Sequence, residues 1–188
     1  NVGKDQELWY KKVIQIDNKT RKDKVLLHFG AVDWEAEVFV NGKSLGLHRG
    51  GYDPFSFDIS DFLQRGKDQE IIVRVWDPSD DGPQPRGKQV NEPNSIWYTP
   101  VTGIWQTVWI ESVPNTYIEA VSIQPDFDKG VFGVSAEING ETSGHSIEVI
   151  FTADGKEVGK QEFKSDGNAE IKLSTLHAWS PDRPFLYD

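Results

Sequence analysis

Apolar side chains recur at every second position along much of this chain, the period of strands with one buried face. Ile71, Val73 and Val75 alternate with Ile72, Arg74 and Trp76; Phe132, Val134, Ala136 and Ile138 alternate with smaller or polar residues; Ile147, Val149 and Phe151 repeat the pattern. Asn41-Gly42, Asn139-Gly140 and Asp154-Gly155 can all take positive φ, so each is expected to close a tight hairpin between antiparallel strands. One short helix is expected from Ser60 to Gln64, with Ser60 capping its first turn and Gly66 ending it. Everything else reads as all-β, most simply two sandwiches in series.

The break between them is expected at Ser112-Val113-Pro114-Asn115, after a strand from Trp105 to Glu111 and before one beginning near Tyr117. Pro114 cannot donate to a sheet ladder, so pairing is interrupted there. This gives a first domain over 1–113, with about seven or eight strands, and a second over 114–188 with four or five. An immunoglobulin-like sandwich needs about seven, so the second is expected to be incomplete.

Composition narrows the partners. Thirty acidic residues against twenty basic leave a net charge of -10, which argues against nucleic acid or an anionic membrane. No cysteine is present, which removes disulfides, zinc fingers and thiol chemistry. Seven Trp, five Tyr and ten Phe supply enough apolar area for packed cores. No apolar run reaches the roughly 20 residues of a membrane span, and Asn1-Val2-Gly3-Lys4 opens no signal core. The lack of any methionine points to a piece of a longer chain. The compartment stays open, with periplasmic or extracellular placement favoured over cytoplasmic.

One segment fits no strand. From Asp77 to Gly103 it holds five prolines, Asp80-Asp81-Gly82, Arg86-Gly87-Lys88-Gln89 and Trp97-Tyr98. A loop beyond about 12 to 15 residues in a compact domain is usually functional or disordered, and its aromatic and donor side chains favour function. Trp97 and Tyr98 either offer flat faces to the C–H side of a sugar ring or plug the gap to a neighbouring domain. The acids Asp77, Asp80, Asp81 and Glu92 are expected in a solvated loop and form no recognisable catalytic dyad. His48 with Ser56 and Asp53 lacks the strand-to-helix turn of a nucleophile. Asp126-Phe127-Asp128-Lys129-Gly130 lacks the later ligands of a calcium loop and reads as a hairpin connection. Asn18-Lys19-Thr20 is a formal glycosylation triplet of the kind that chance supplies often. Neither a metal nor a cofactor is expected.

Three stretches resemble the amino-terminal region of family 2 glycoside hydrolases, β-galactosidase-like enzymes. Val32 to Gly42, continuing through Leu45-Gly46, Gly50-Gly51-Tyr52 and Phe55 to Ile59, is similar to that family's central hairpin and following strand. Thr102 to Ile110 resembles the strand that closes its jelly roll, and Ala178 to Tyr187 the tryptophan-proline stretch late in its second domain. Gly103 would free the backbone where the loop rejoins the sheet, and Trp179 before a proline suits a core residue at a strand end.

The resemblance implies a jelly-roll sugar-binding domain, an immunoglobulin-like β-sandwich and then a catalytic TIM barrel of the same polypeptide. That barrel would carry both catalytic glutamates, so no catalytic residue is assigned here. In galactoside-using members the first domain lends residues to the rim of the sugar pocket. One is an acid two places before the loop tryptophan, where Ser95 stands instead; another is an asparagine whose nearest counterpart is Asp5. Arg86, Lys88 and Gln89, with Trp97 and Tyr98, complete the candidate sugar-binding set, their donors suited to hydroxyls or an acidic sugar. Carbohydrate binding by this piece alone is expected to be weak. The rival readings are a self-sufficient lectin-like module and a purely structural adhesion sandwich.

Overall fold

The computed structural model describes residues 2–17, 21–165 and 167–188; the Asn18-Lys19-Thr20 triplet lies outside the described residues. The chain forms two compact units, Asn1–Pro114 and Asn115–Asp188.

The first unit runs β1 (Leu8–Ile14), β2 (Lys24–Phe29), β3 (Val32–Asp33), β4 (Glu35–Val40), β5 (Lys43–Arg49), β6 (Phe55–Asp58), a 3-10 turn (Ser60–Phe62), β7 (Gln69–Trp76), β8 (Gly103–Ile104) and β9 (Val108–Val113). One sheet has the order β1-β7-β4-β5, a second β6-β2-β9, and β3 pairs with β8. The alternation along the chain selects the inner faces. In β7, Ile71, Val73 and Val75 are buried while Arg74 stands outside. They share one core with Val25, Leu27 and Phe29 of β2, Ala36, Val38 and Val40 of β4, and Ile59. On the outer face, the Arg74 guanidinium lies 2.7 Å from Glu7, 3.5 Å from Glu35 and 3.2 Å from Glu37, which ties β7 to β4 and to the residue just ahead of β1.

Asn41-Gly42 closes the β4–β5 hairpin with φ of 51° and 79°, both in the left-handed region that a two-residue turn requires. The Asn41 amide also donates to Phe62 O at 2.8 Å and Gln69 Oε1 at 2.7 Å, tying the turn to the next connection. The expected helix from Ser60 is only the 3-10 turn, preceded by Ile59, which makes no side-chain cap. Ser60 is engaged elsewhere: its Oγ accepts from Val25 N at 2.9 Å and donates to Asp58 at 2.5 Å. Because Val25 is fully buried, Ser60→Ala leaves its N–H unpaired and is expected to cost about 1–2 kcal/mol, read from urea unfolding by tryptophan fluorescence.

The strand expected from Trp105 to Glu111 begins later, at Val108, and runs on to Val113. β8 ends at Ile104, and Trp105 N and Gln106 N both turn to Ala31 O, at 3.3 and 3.4 Å, before β9 begins at Val108. Gly30 permits this, since a Cβ there would stand 2.8 Å from the Gln106 Cβ.

The second unit runs β10 (Tyr117–Asp126), β11 (Val131–Asn139), β12 (Ser146–Ala153), β13 (Lys156–Lys164) and β14 (Asn168–Lys172). Its sheets are β10-β11-β14 and β12-β13, around Val134, Phe151, Ile171 and Leu173. Asp126 to Gly130 is the β10–β11 hairpin connection, its turn set by Lys129 N donating to Asp126 Oδ1 at 3.1 Å. Asp154-Gly155, with φ of 49° and 73°, closes β12–β13 as expected. Asn139-Gly140 does not close a hairpin: β11 pairs with β10 and β14, and β12 pairs with β13. Gly140 instead lets the chain leave one sheet for the other, at a place where an added Cβ would strike Asn115 O and Thr116. Trp179 is also corrected, being 59% exposed rather than a core residue. The turn Ser180 to Arg183, closed by mutual backbone hydrogen bonds of 3.0 Å, carries that segment outward. Tyr187 packs against the core in its place, its hydroxyl accepting from His177 N at 2.5 Å and donating to Thr175 O at 3.2 Å.

Candidate functional site

Residues 77–103 form no strand of their own beyond a single bridge, Gln89 to Tyr98, and β8 at their end, yet the segment is pinned from beneath. Asp77, at the end of β7, is 3% exposed and accepts from Ser79 N at 2.8 Å and Thr102 Oγ1 at 3.0 Å, so one carboxylate holds both ends of the loop. Gln84, also buried, donates to Ser79 O at 2.7 Å. Asp33 faces the same spot from β3, 7% exposed, with Gly51 packed so closely that a Cβ there would lie 2.6 Å from Asp33 Oδ1. Burial, chiefly, and the charge of Asp77 push the Asp33 carboxyl from its usual 3.8 up to about 6, against a hydrogen bond from Gln89 that opposes the rise. A raised acid beside a second carboxylate resembles a glycosidase pair, but both are shut under the loop, where no sugar reaches them.

Above this knot the loop displays its aromatics. Trp97 is 39% and Tyr98 53% exposed. Trp97 lines a cleft of about 410 Å³ with Asp80, Asp81, Asn91, Glu92 and Asn94. The Asn91 N–H donates to Asp80 Oδ2 at 3.1 Å, and its side-chain amide bonds Asp80 Oδ1, so this polar wall is held in place. Tyr98 is one of the two residues of the bridge. Gly87, at φ 62°, sits beneath it, with the Tyr98 and Tyr52 hydroxyls 3.4 and 3.7 Å from where a Cβ would stand. Tyr52 in turn meets Trp105 edge to face at 6.0 Å, and Trp105 is fixed by its indole N–H donating to Gly51 O at 2.7 Å. An aromatic face beside carboxylates and amides can take the apolar side of a ring and its hydroxyls together.

The candidate residues do not all converge. Lys88 is exposed, and its carbonyl accepts from Tyr98 N at 3.0 Å. Arg86 is half-buried and donates to Asp80 O at 3.4 Å, while its Nε is buried without a partner. Gln89 is committed to the loop itself: Nε2 donates to Arg86 O at 3.1 Å, Oε1 accepts from Val101 N at 2.5 Å, and the amide bonds Asp33. Ser95 is exposed in a left-handed turn, φ 51°, just before Trp97. Asp5 lines a separate cleft of about 510 Å³ with Trp34, Arg49 and Trp76, and Asp81 borders both clefts.

Sequence reasoning missed Asp33, Tyr52 and Trp105, whose roles depend on contacts between distant segments. It also missed Ser56 as the partner of His28 rather than His48. Ser56 Oγ lies 2.6 Å from His28 Nδ1, and His28 Nε2 lies 3.3 Å from Glu111. The three side chains sit on the outer face of β6-β2-β9, with His28 stacked on Trp109 at 4.8 Å, and no turn there aims backbone N–H groups at an oxyanion. His48 stacks on Phe55 at 3.9 Å and bonds Gly50 O at 3.2 Å. Among the described residues, no group of three or more His, Asp or Glu could hold a metal ion, and no helix is long and apolar enough to cross a membrane.

The family described as glycosyl hydrolases family 2, sugar binding domain, matches residues 3–128. A β-galactosidase of Thermoanaerobacter pseudethanolicus is 28% identical over 96% of this chain and 25% of its own length. A putative β-glucuronidase of Formosa agariphila is 31% identical over 95% of this chain and 17% of its own. Among solved structures, the FMN-binding β-glucuronidase from Facaelibacterium prausnitzii superposes with a TM-score of 0.76 at 21% identity, over 97% of this chain and 29% of that one. The chain thus spans less than a third of each of these proteins.

Proposed function

Because this chain belongs to glycoside hydrolase family 2, we propose that it is the non-catalytic, sugar-binding front part of an enzyme that hydrolyses terminal β-linked sugars, galactosides first. Its relatives' greater length supports a catalytic barrel elsewhere in the same polypeptide. The role of these residues is then to build part of the pocket rim and to position that barrel. The observation that carries the reading is a loop bolted down through Asp77 and Gln84 whose Trp97 and Tyr98 nevertheless stay open to solvent. A floppy connection would not bury two polar side chains to hold exposed rings still.

A rim without its pocket cannot desolvate a sugar, so isolated residues 1–188 should bind galactose only in the millimolar range, about -4 kcal/mol, and cleave nothing. In the parent enzyme, Trp97→Ala or Tyr98→Ala is expected to lower kcat/KM on 4-nitrophenyl β-galactoside about tenfold, the worth of one aromatic contact, with Tm unchanged. Tight, saturable binding by the short chain would make it a lectin-like module instead; turnover by it would overturn the reading altogether.

One observation favours a second reading, a β-glucuronide. Arg86, half-buried, and Lys88, exposed, stand in the same loop, and both cations suit a carboxylate-bearing sugar. Comparing Lys88→Ala on the galactoside and the glucuronide separates the two, since only the charged substrate should lose rate.

A further inference from the structure

At one end of the β1-β7-β4-β5 sheet two indoles meet. Trp76 ends β7, Trp34 stands just ahead of β4, and their rings lie edge to face at 6.0 Å. An edge-to-face pair leaves ring faces uncovered, and both side chains are only half-buried. They line the cleft of about 510 Å³ to which Asp5 belongs. Trp76 is fixed by its indole N–H donating to Lys4 O at 2.7 Å. A further wall, Pro78 to Gln84, is stiff. Pro78 and Pro83 restrict its backbone, Gln84 is tied to Ser79 O at 2.7 Å, and a Cβ on Gly82 would strike Gln84 Oε1 and lie 2.7 Å from Pro78 Cγ. The cleft is therefore preformed, which lowers the cost of filling it.

Its charges select the occupant. The charged residues lining it are Lys4, Asp5, Glu35, Arg49 and Asp81. Lys4 lies 3.4 Å from Asp81, and Arg49 Nε donates to Glu35 at 2.8 Å, while Arg74 stands 3.5 Å from the other Glu35 oxygen. Among the described residues, the Asp5 carboxylate and the two terminal nitrogens of Arg49 have no hydrogen-bond or ion-pair partner. One open acceptor and one open donor group thus stand beside exposed indole. An anion would be repelled by Asp5 and a cation by Arg49, and an apolar ligand would desolvate both for no return. A neutral polyol ring satisfies all three: its hydroxyls donate to Asp5 and accept from Arg49, and its C–H side lies on the indole.

The cleft also has a neighbour. Asp81 borders both it and the Trp97 cleft, so the two are separated by the width of one residue. We propose that the Trp34–Trp76 cleft seats a neutral sugar unit of an oligosaccharide, another unit of which lies against Trp97. The substrate of the parent enzyme is then a β-linked oligosaccharide rather than a single sugar on a small leaving group. This rests on the reading of the aromatic loop as part of a pocket rim in a longer enzyme. Two adjoining clefts on one chain act together, because a unit seated in the first holds the next at high effective concentration over the second.

The test is made on the full parent enzyme. Whichever 4-nitrophenyl glycoside it cleaves, galactoside or glucuronide, is compared with β-linked oligosaccharides of increasing length that end in the same sugar. The value of kcat/KM should rise about tenfold at the length that first reaches the Trp34–Trp76 cleft, the worth of one aromatic contact. Arg49→Ala should abolish that rise and leave the 4-nitrophenyl glycoside unchanged. Arg49 is exposed and Glu35 keeps Arg74, so the variant should also keep its Tm. A kcat/KM that does not vary with length overturns the proposal and leaves the enzyme reading standing. A rise that survives Arg49→Ala overturns it too, since the added units then bind elsewhere. An equal loss on the 4-nitrophenyl glycoside places Arg49 at the terminal sugar and likewise overturns it. Failure to cleave either 4-nitrophenyl glycoside removes the enzyme reading, and this proposal with it.

Discussion

Gly103→Ala is expected to destabilise the first unit by about 3–5 kcal/mol and to loosen the aromatic loop with it. Gly103 ends the loop and starts β8 at φ 117°, a conformation that costs an L-residue about 1–2 kcal/mol. The added methyl would fall within the envelope of the Tyr10 hydroxyl and 3.0 Å from Leu8 Cδ2, an overpacking worth about 1–3 kcal/mol. To escape, the Tyr10 ring must withdraw, and Ile104 N then loses the bond it donates to Tyr10 OH at 3.2 Å, about 1 kcal/mol more. Six of the seven tryptophans lie in residues 1–114, so fluorescence-monitored urea unfolding reports this unit. Tyr10→Phe removes the atom that the methyl strikes. The double variant should therefore lose less than the sum of the single ones, with a coupling above about 1 kcal/mol. A Gly103→Ala variant within 1 kcal/mol of the parent sequence would mean that the Tyr10 ring moves freely and does not brace the loop's return.

What the chain made readable was local. β7 and β4 bury every second residue because their apolar spacing matches the pleat, and Asn41-Gly42 and Asp154-Gly155 turn where positive φ is cheapest. The same logic misplaced Asn139-Gly140. An Asn-Gly pair permits a hairpin but does not choose a partner, and the pairing of β11 with β14 across the unit decided otherwise. Trp179 misled for a similar reason: its size argues for burial, but the Ser180–Arg183 turn steers it outward. The loop stood out in the sequence by its length and its aromatics. Its anchors did not, because Thr102 reaches Asp77 across 25 residues and Tyr10 reaches Ile104 across 94. Gln89 illustrates the limit most sharply, since a side chain chosen for its donors turns out to spend them on Arg86 O and Asp33.

That knot carries a pH signature with an unusual sign. Asp33 has its carboxyl raised from 3.8 to about 6 in the folded chain, so the native state binds its proton more tightly than the unfolded state does. Below about pH 4 both states are protonated and the group is neutral to stability. Between the two values the unfolded chain releases the proton first, and the folded state is progressively penalised; above about pH 6 the full penalty applies. Stability contributed at this site therefore falls as pH rises from 4 to 6, the reverse of a salt-bridged carboxylate. A shift from 3.8 to about 6 corresponds to about 3 kcal/mol at most, and relaxation of the surrounding polar groups around the charged carboxylate reduces this to about 1–2 kcal/mol. Asp33→Asn keeps the shape against Gly51 and an oxygen for Gln89 while removing the charge that faces Asp77. The variant should match the parent sequence near pH 4 and exceed it by about 1–2 kcal/mol at pH 7–8, in urea unfolding followed by tryptophan fluorescence. Taking the difference between the two proteins at each pH cancels the other acids that titrate in the same range. A difference that stays flat from pH 4 to 8 would show that the Asp33 charge is already accommodated, and that the loop is held by its hydrogen bonds without electrostatic cost.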